Sequence, residues 1–189
     1  RVQCTPDLMP ADVLGTHIVG ENETGHRVFR FEKGPVFHHL LLVDEINRAT
    51  PKTQAALLEV MQEHTVTAGG EHFEVPSPFF VLATQNPIEQ SGTFVLPEAQ
   101  QDRFLLYIEI GYPGAQEETD ILKATTGTTR PVLDKVITGK DILRLQELVR
   151  EVTISDPLIA YVSEMVRATR PDTSKLDYVR KWVDWGAGP

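Results

Sequence analysis

The chain has 189 residues, 41% of them hydrophobic and 24% charged, and its 18 basic against 27 acidic side chains give a formal charge of −9. This is the composition of one globular domain, or a domain with a small appendage, long enough to bury a core, and it excludes disordered and fibrous classes. A lone Cys4 excludes an internal disulfide framework and a cysteine-rich zinc site, and fits a reducing compartment. The acidic balance disfavours a dedicated nucleic-acid binder. No apolar run approaches the roughly 18 residues of a membrane span, and no secretory leader opens the chain, so a cytoplasmic location is expected.

Residues 2–4 read as the end of a strand, stopped by Pro6 and Pro10. Thr16-His17-Ile18-Val19 and Val28-Phe29-Arg30-Phe31 flank a polar stretch from Glu21 to Gly25, which predicts a hairpin with an acidic tip at Glu21 and Glu23. Leu40-Leu41-Leu42-Val43 is apolar without alternation and ends in Asp44-Glu45, the pattern of a strand in a parallel sheet covered on both faces. Thr50-Pro51 opens a helix as cap and first residue, with Leu57, Leu58 and Met61 on its apolar stripe, continued from Gln54. Residues 66–75 predict a second hairpin around Gly69-Gly70. Residues 79–84 and 104–108 are two more apolar strands, with a short helix over 97–103 between them. Helices are predicted at about 115–123, 140–152 and 157–168 from their apolar spacing. Strands and helices alternate first and helices alone follow, so the expected class is an α/β sheet followed by a helical part.

The chemistry concentrates where the 40–43 strand ends. In phosphate-transfer ATPases a buried strand delivers two adjacent carboxylates to the edge of the sheet, one to hold Mg²⁺ and one to orient the attacking water. Ligands of α/β sheets bind at that edge. Asp44-Glu45 fits this pattern, although acidic residues also end strands simply because solvent begins there. Asn86, in Thr84-Gln85-Asn86-Pro87, follows the next apolar strand and could reach the same water or terminal phosphate; it could equally be a turn residue before proline. Arg103 precedes the 104–108 strand, where it could stabilise charge in a neighbouring subunit's transition state or only make a salt bridge. Arg48 could reach a neighbouring subunit but reads chiefly as fixing the start of its own helix or as solvated, and Asn47 reads chiefly as a cap rather than a catalytic residue. His38-His39 lack metal-ligand spacing. Glu117, Glu118 and Asp120 suit the start of a helix.

Leu41-Leu42-Val43-Asp44-Glu45-Ile46-Asn47-Arg48-Ala49 and Pro51-Lys52-Thr53-Gln54-Ala55-Ala56-Leu57-Leu58-Glu59 resemble the Walker B strand and following helix of the MoxR family of AAA+ ATPases. Ala83-Thr84-Gln85-Asn86-Pro87-Ile88-Glu89 resembles the sensor 1 segment. Gly92-Thr93, Leu96-Pro97-Glu98-Ala99-Gln100 and Asp102-Arg103-Phe104 resemble the arginine-finger segment, and Thr5-Pro6-Asp7-Leu8-Met9-Pro10-Ala11-Asp12 the stretch downstream of the phosphate loop. The likeness is close over about 1–125 and looser beyond.

The resemblance implies an AAA+ parallel sheet in the order 5-1-4-3-2, with strand 1 absent from this chain. It would give three paired strands and a displaced or gapped fifth at 104–108. It implies a core over residues 1–112, with insert hairpins at about 16–31 and 65–75, followed by a linker and partial helical lid over 113–189. Asp44 would be the Walker B residue linked to Mg²⁺, mostly through water. Glu45 would be the catalytic carboxylate, Asn86 sensor 1, and Arg103 a finger acting on the neighbouring subunit's ATP. ATP and Mg²⁺ are the implied cofactors; Asp44, Glu45 and Asn86 would line their site.

Two departures bear on this. The chain contains no Gly-x-x-x-x-Gly-Lys-Ser/Thr, the loop that cradles phosphates. Trp185-Gly186-Ala187-Gly188-Pro189 resembles the sensor 2 segment with Gly188 where serine is usual, and ends before the sensor arginine. With Arg1 rather than methionine at its start, the chain is expected to be a fragment, inactive by itself, of an ATPase. The implied function is a homo-oligomeric ring, a hexamer, that couples hydrolysis to remodelling or activating a client, with von Willebrand factor A domain proteins as partners. A non-hydrolysing scaffold and a nucleic-acid motor are the alternatives. Intact Asp44, Glu45, Asn86 and Arg103 argue against the first, and the net charge of −9 against the second.

Overall fold

Leucine and valine at 41–43 and at 81–82 leave little choice but a sheet with its edges in register, and that sheet organises the first of two compact units, Arg1–Gly139 and Lys140–Pro189. The computed structural model describes residues 1–21, 26–86, 92–127 and 132–188. The expected hairpin tip at 22–25, the sensor 1 residues Pro87, Ile88 and Glu89, and Pro189 fall outside the described residues.

In chain order the first unit contains β1 (Val2–Gln3), α1 (Pro10–Leu14), β2 (Gly15–Glu21), β3 (Arg27–Lys33), β4 (Leu40–Asp44), a 3₁₀ turn (Ile46–Arg48) and α2 (Pro51–Glu63). It continues through β5 (Thr65–Ala68), β6 (Glu71–Glu74), β7 (Phe80–Ala83), α3 (Glu98–Gln101) and α4 (Ala115–Thr126). β4 lies between β1 and β7 and runs parallel to both, with Val2 opposite Val43 and Leu40 to Val43 opposite Phe80 to Ala83. This is the expected parallel α/β sheet, and its order β1-β4-β7 is the 2-3-4 part of the family order.

Leu41 and Val43 point to one face and are buried with Val2, Cys4, Val36, Ile46, Leu57, Val60, Val66 and Leu96. Burial on both faces of the apolar strands, expected from their unbroken composition, is not found. Leu40, Phe80 and Leu82 are exposed, the last two at 55% and 46%. Among the described residues no strand pairs with the outer edge of β7. Residues 104–108 are irregular, and Leu105, Leu106, Tyr107 and Ile108 are 74–90% exposed. The expectation of a third buried strand there is corrected: residues 104–108 form no strand, and the outer edge of β7 stands open, the gapped form of the displaced or gapped fifth that was expected. An extended apolar segment becomes a strand only when a neighbour's N–H and C=O groups meet its own, and β7 does not meet this one.

Thr50 caps α2 by accepting a hydrogen bond from the Thr53 N–H at 3.4 Å, with Pro51 in the first turn. The helix ends at His64, which takes a left-handed φ of 55°. It buries Thr53, Gln54, Leu57, Leu58 and Val60. Both expected hairpins form: β2 and β3 are antiparallel with Gly20 opposite Val28, and β5 and β6 with Ala68 opposite Glu71. Phe31 of β3 stacks on Phe73 of β6 at 4.2 Å between ring centroids, so the two hairpins pack on each other.

The second unit carries α5 (Gly139–Glu151) from its second residue on, α6 (Asp156–Ala168) and α7 (Asp177–Trp182), the last not foreseen from the apolar spacing. Ser174 and Val179 are its buried residues. Ala187 is tied back to the end of α6, its N–H donating to Thr169 Oγ1 at 2.9 Å.

Candidate active site at the sheet edge

β4 ends at Asp44, and the chain leaves the sheet at Glu45 in a left-handed conformation, φ 54° and ψ 50°. A non-glycine residue holds that conformation only where its surroundings fix it. Here the Glu45 N–H donates to Thr84 Oγ1 at 3.0 Å, and the following N–H, from Ile46, donates to the Thr84 carbonyl at 3.0 Å. Thr84 extends β7 by one residue, its N–H donating to the Val43 carbonyl at 2.9 Å. The parallel register of β4 and β7 therefore sets the Glu45 turn.

The two carboxylates are recessed, with Asp44 14% and Glu45 27% exposed at the side chain. Asp44 accepts from Thr84 Oγ1 at 3.3 Å and pairs with the Arg1 guanidinium. Glu45 Oε2 accepts from Gln3 Nε2 at 3.0 Å and from Arg48 Nη1 at 3.3 Å. β1 thus supplies one hand on Glu45 and the 3₁₀ turn the other. Cys4, buried beneath, registers the two charges: burial first, then Asp44 and Glu45, push its thiol up to about 11 from 9.0.

Asn86 lies half-buried just past β7, and its carbonyl accepts from Asn47 Nδ2 at 3.4 Å. Three of the four expected site residues, Asp44, Glu45 and Asn86, therefore gather at one edge of the sheet. Arg103 is held elsewhere. It follows α3, and its Nη1 donates to the Leu58 carbonyl of α2 at 3.2 Å, beside an open groove lined by Ala55, Glu59, Glu63 and Gln100. Its guanidinium is thus held against α2 rather than with the Asp44 and Glu45 carboxylates.

Sequence reading missed Gln3 and Thr84 as partners of the carboxylates. Their partners lie 42 and 39 residues away in the chain, so no local spacing marks them. Arg48, read as fixing its helix or as solvated, instead pairs with Glu45 three residues earlier. Among the described residues no group of three or more His, Cys, Asp or Glu could hold a metal ion by itself, and His38 bonds only to the Pro35 carbonyl, 3.2 Å away. The donors at the edge are carboxylate oxygens, the hard ligands that suit Mg²⁺ held partly through water.

A family model described as "ATPase family associated with various cellular activities (AAA)" matches residues 1–106. "Chaperone MoxR1" of Mycobacterium tuberculosis is 48% identical over 190 residues, covering 100% of this chain and 49% of that protein. "Uncharacterized protein YeaC" of Bacillus subtilis is 44% identical over 176 residues, covering 92% of this chain and 54% of that protein. A crystal structure from Cytophaga hutchinsonii, described as a candidate ATPase, superposes with a TM-score of 0.85 at 40% identity, covering 100% of this chain and 57% of that one. The chain spans about half the length of the curated relatives it matches.

Proposed function

The chain belongs to the MoxR family of AAA+ ATPases, and from that premise we propose that it supplies the water-orienting half of an ATP-hydrolysing site shared between the subunits of a ring. The observation that carries this is the Asp44-Glu45 pair at the end of β4, braced by Thr84 from the adjacent parallel strand. Asp44 would hold Mg²⁺ through water, and bound Mg²⁺ would neutralise phosphate charge. The phosphate cradle itself is not among these 189 residues, which contain no Gly-x-x-x-x-Gly-Lys-Ser/Thr.

Glu45 is the residue proposed to orient and deprotonate the attacking water. Its Oε2 is already engaged by Gln3 and Arg48, which fixes the carboxylate plane and leaves the other oxygen to take a proton. Asn86, behind the same edge, would place its amide toward the terminal phosphate or that water. Arg103 would act on the ATP of an adjacent copy, because its guanidinium stands on the α2 side rather than with the carboxylates. A heterologous contact of this kind repeats head to tail and closes into a ring. The chaperone name of the Mycobacterium relative supports a role in remodelling a client protein, and the resemblance suggests a partner with a von Willebrand factor A domain. Among the described residues no helix is long and apolar enough to cross a membrane.

The test is Glu45→Gln in the natural full-length protein. ATP binding should persist and turnover should fall at least a hundredfold, because the amide accepts a hydrogen bond but no proton. Turnover at the unmodified rate would overturn the assignment of Glu45.

A further inference from the structure

We infer that Gln54 is a positioning residue that keeps the Glu45 turn of one subunit in register with Arg103, the side chain proposed to serve the adjacent subunit; the inference rests on that reading of Glu45 and Arg103. Gln54 sits on α2 with 1% of its surface exposed, the one large polar side chain among the fully buried residues described. Its Nε2 donates to two backbone carbonyls at once, Ile46 at 3.1 Å and Phe94 at 3.2 Å. Ile46 directly follows Glu45 and opens the 3₁₀ turn. Phe94 begins the segment that runs through buried Leu96 to α3 and Arg103. The Phe94 N–H in turn donates to the Asn47 carbonyl at 2.6 Å, so the two segments are fastened to each other as well as to the helix.

Four residues further along α2, the Leu58 carbonyl receives Arg103 Nη1 at 3.2 Å. Positions four apart share a helix face, about 6 Å apart along the axis. One turn of helix therefore carries both attachments: the carboxylate turn at Gln54 and the guanidinium at Leu58. Methionine or leucine of similar volume would fill the space under the 3₁₀ turn without the cost of burying an amide. What the amide adds is a rigid, two-pronged connection. A displacement of the 46–47 turn at one site is passed through Gln54 and the Phe94 segment to Arg103, and so to the neighbouring site, which is a coupling free energy between sites.

The experiment is a double-mutant cycle in the natural full-length protein, with unmodified protein, Gln54→Met, Arg103→Ala and the double variant. For each, kcat for ATP, nucleotide affinity by a fluorescent analogue, and the thermal midpoint are measured. Gln54→Met alone should lower kcat at least tenfold with nucleotide affinity unchanged within twofold. On the Arg103→Ala background the same substitution should cost at least threefold less, because the group it positions is gone. Losses that multiply independently, or an unaltered kcat for Gln54→Met, overturn the proposal. Should Gln54→Met fail to fold, Gln54→Asn repeats the cycle with an amide one methylene too short for both carbonyls; unfolding of both variants would make Gln54 a residue that only holds the fold, and would also overturn it. An Arg103→Ala protein with unmodified kcat refutes the reading of Arg103 itself, an outcome separate from additive losses.

Discussion

Replacing Gly69 by alanine measures how firmly the two hairpins are locked together. Gly69 and Gly70 both have positive φ, 61° and 85°, the pattern of a tight two-residue hairpin turn. An alanine in the left-handed region costs about 1–2 kcal/mol, offset by about 0.4–1 kcal/mol from the lower entropy of the unfolded chain. A Cβ on Gly70 would meet nothing within 4 Å, so Gly70→Ala carries only that difference, about 0–1.6 kcal/mol. A Cβ on Gly69 would stand 2.7 Å from His17 Cε1 of the other hairpin. His17 is exposed and its ring packs on Phe31 at 5.4 Å between centroids, Phe31 being stacked on Phe73, so turning the ring aside to clear the methyl gives up that contact. Losing an aromatic pair of this kind costs about 0.5–1.5 kcal/mol more. Urea unfolding should therefore rank Gly69→Ala below Gly70→Ala by that amount, and His17→Ala combined with Gly69→Ala should recover most of the excess. Equal midpoints for the two glycine variants, or no recovery on truncating His17, would refute the packing of one hairpin on the other.

Two further outcomes follow from the sheet edge. Thr84→Val keeps the side-chain volume and removes both the acceptor for the Glu45 N–H and the donor to Asp44. With about 1 kcal/mol per lost hydrogen bond, the two together correspond to a fall in kcat for ATP of roughly thirtyfold, with nucleotide affinity retained; unchanged kcat would mean that Thr84 does not hold the turn. Cys4 has a folded-state pKa of about 11, above the ordinary 9.0. Its neutral thiol is favoured by folding, so that stability is whole below about pH 9 and is lost as pH rises through 11, up to about 3 kcal/mol by linkage. Denaturation midpoints of the unmodified protein and Cys4→Ala should converge or cross between pH 9 and 11, and parallel curves would show that the thiol does not titrate there.

Elements whose signal is local were legible in the sequence. Thr50-Pro51 announced α2, Gly69-Gly70 the second hairpin, and the unbroken apolar run at 40–43 a strand of a parallel sheet. The same run was a poor guide to burial, because composition does not say whether a strand will find a neighbour. Phe80, Leu82 and residues 105–108 look as core-like as Leu41 and Val43, yet they are exposed. Asp44, Glu45 and Asn86 were legible because each closes or follows a strand. Gln3, Thr84 and Gln54 were not, since each matters through a partner about 40 residues away or through a backbone carbonyl. Neither leaves a pattern in sequence spacing. The Arg48 partner was not legible for a related reason: the pair forms where Glu45 turns left-handed at the start of the 3₁₀ turn.

The central claim is that one subunit's Glu45 and its neighbour's Arg103 make a single site. Mixing answers it most directly. Glu45→Gln and Arg103→Ala versions of the natural full-length protein, each with only residual turnover alone, are combined in equal amounts under conditions where subunit exchange is verified by a fluorescent label. An interface that brings an intact Glu45 against an intact Arg103 then forms between unlike subunits, so ATP hydrolysis should reappear as a fraction of the unmodified rate. Mixed rings that stay inactive at every ratio would contradict the account and return Arg103 to its own chain.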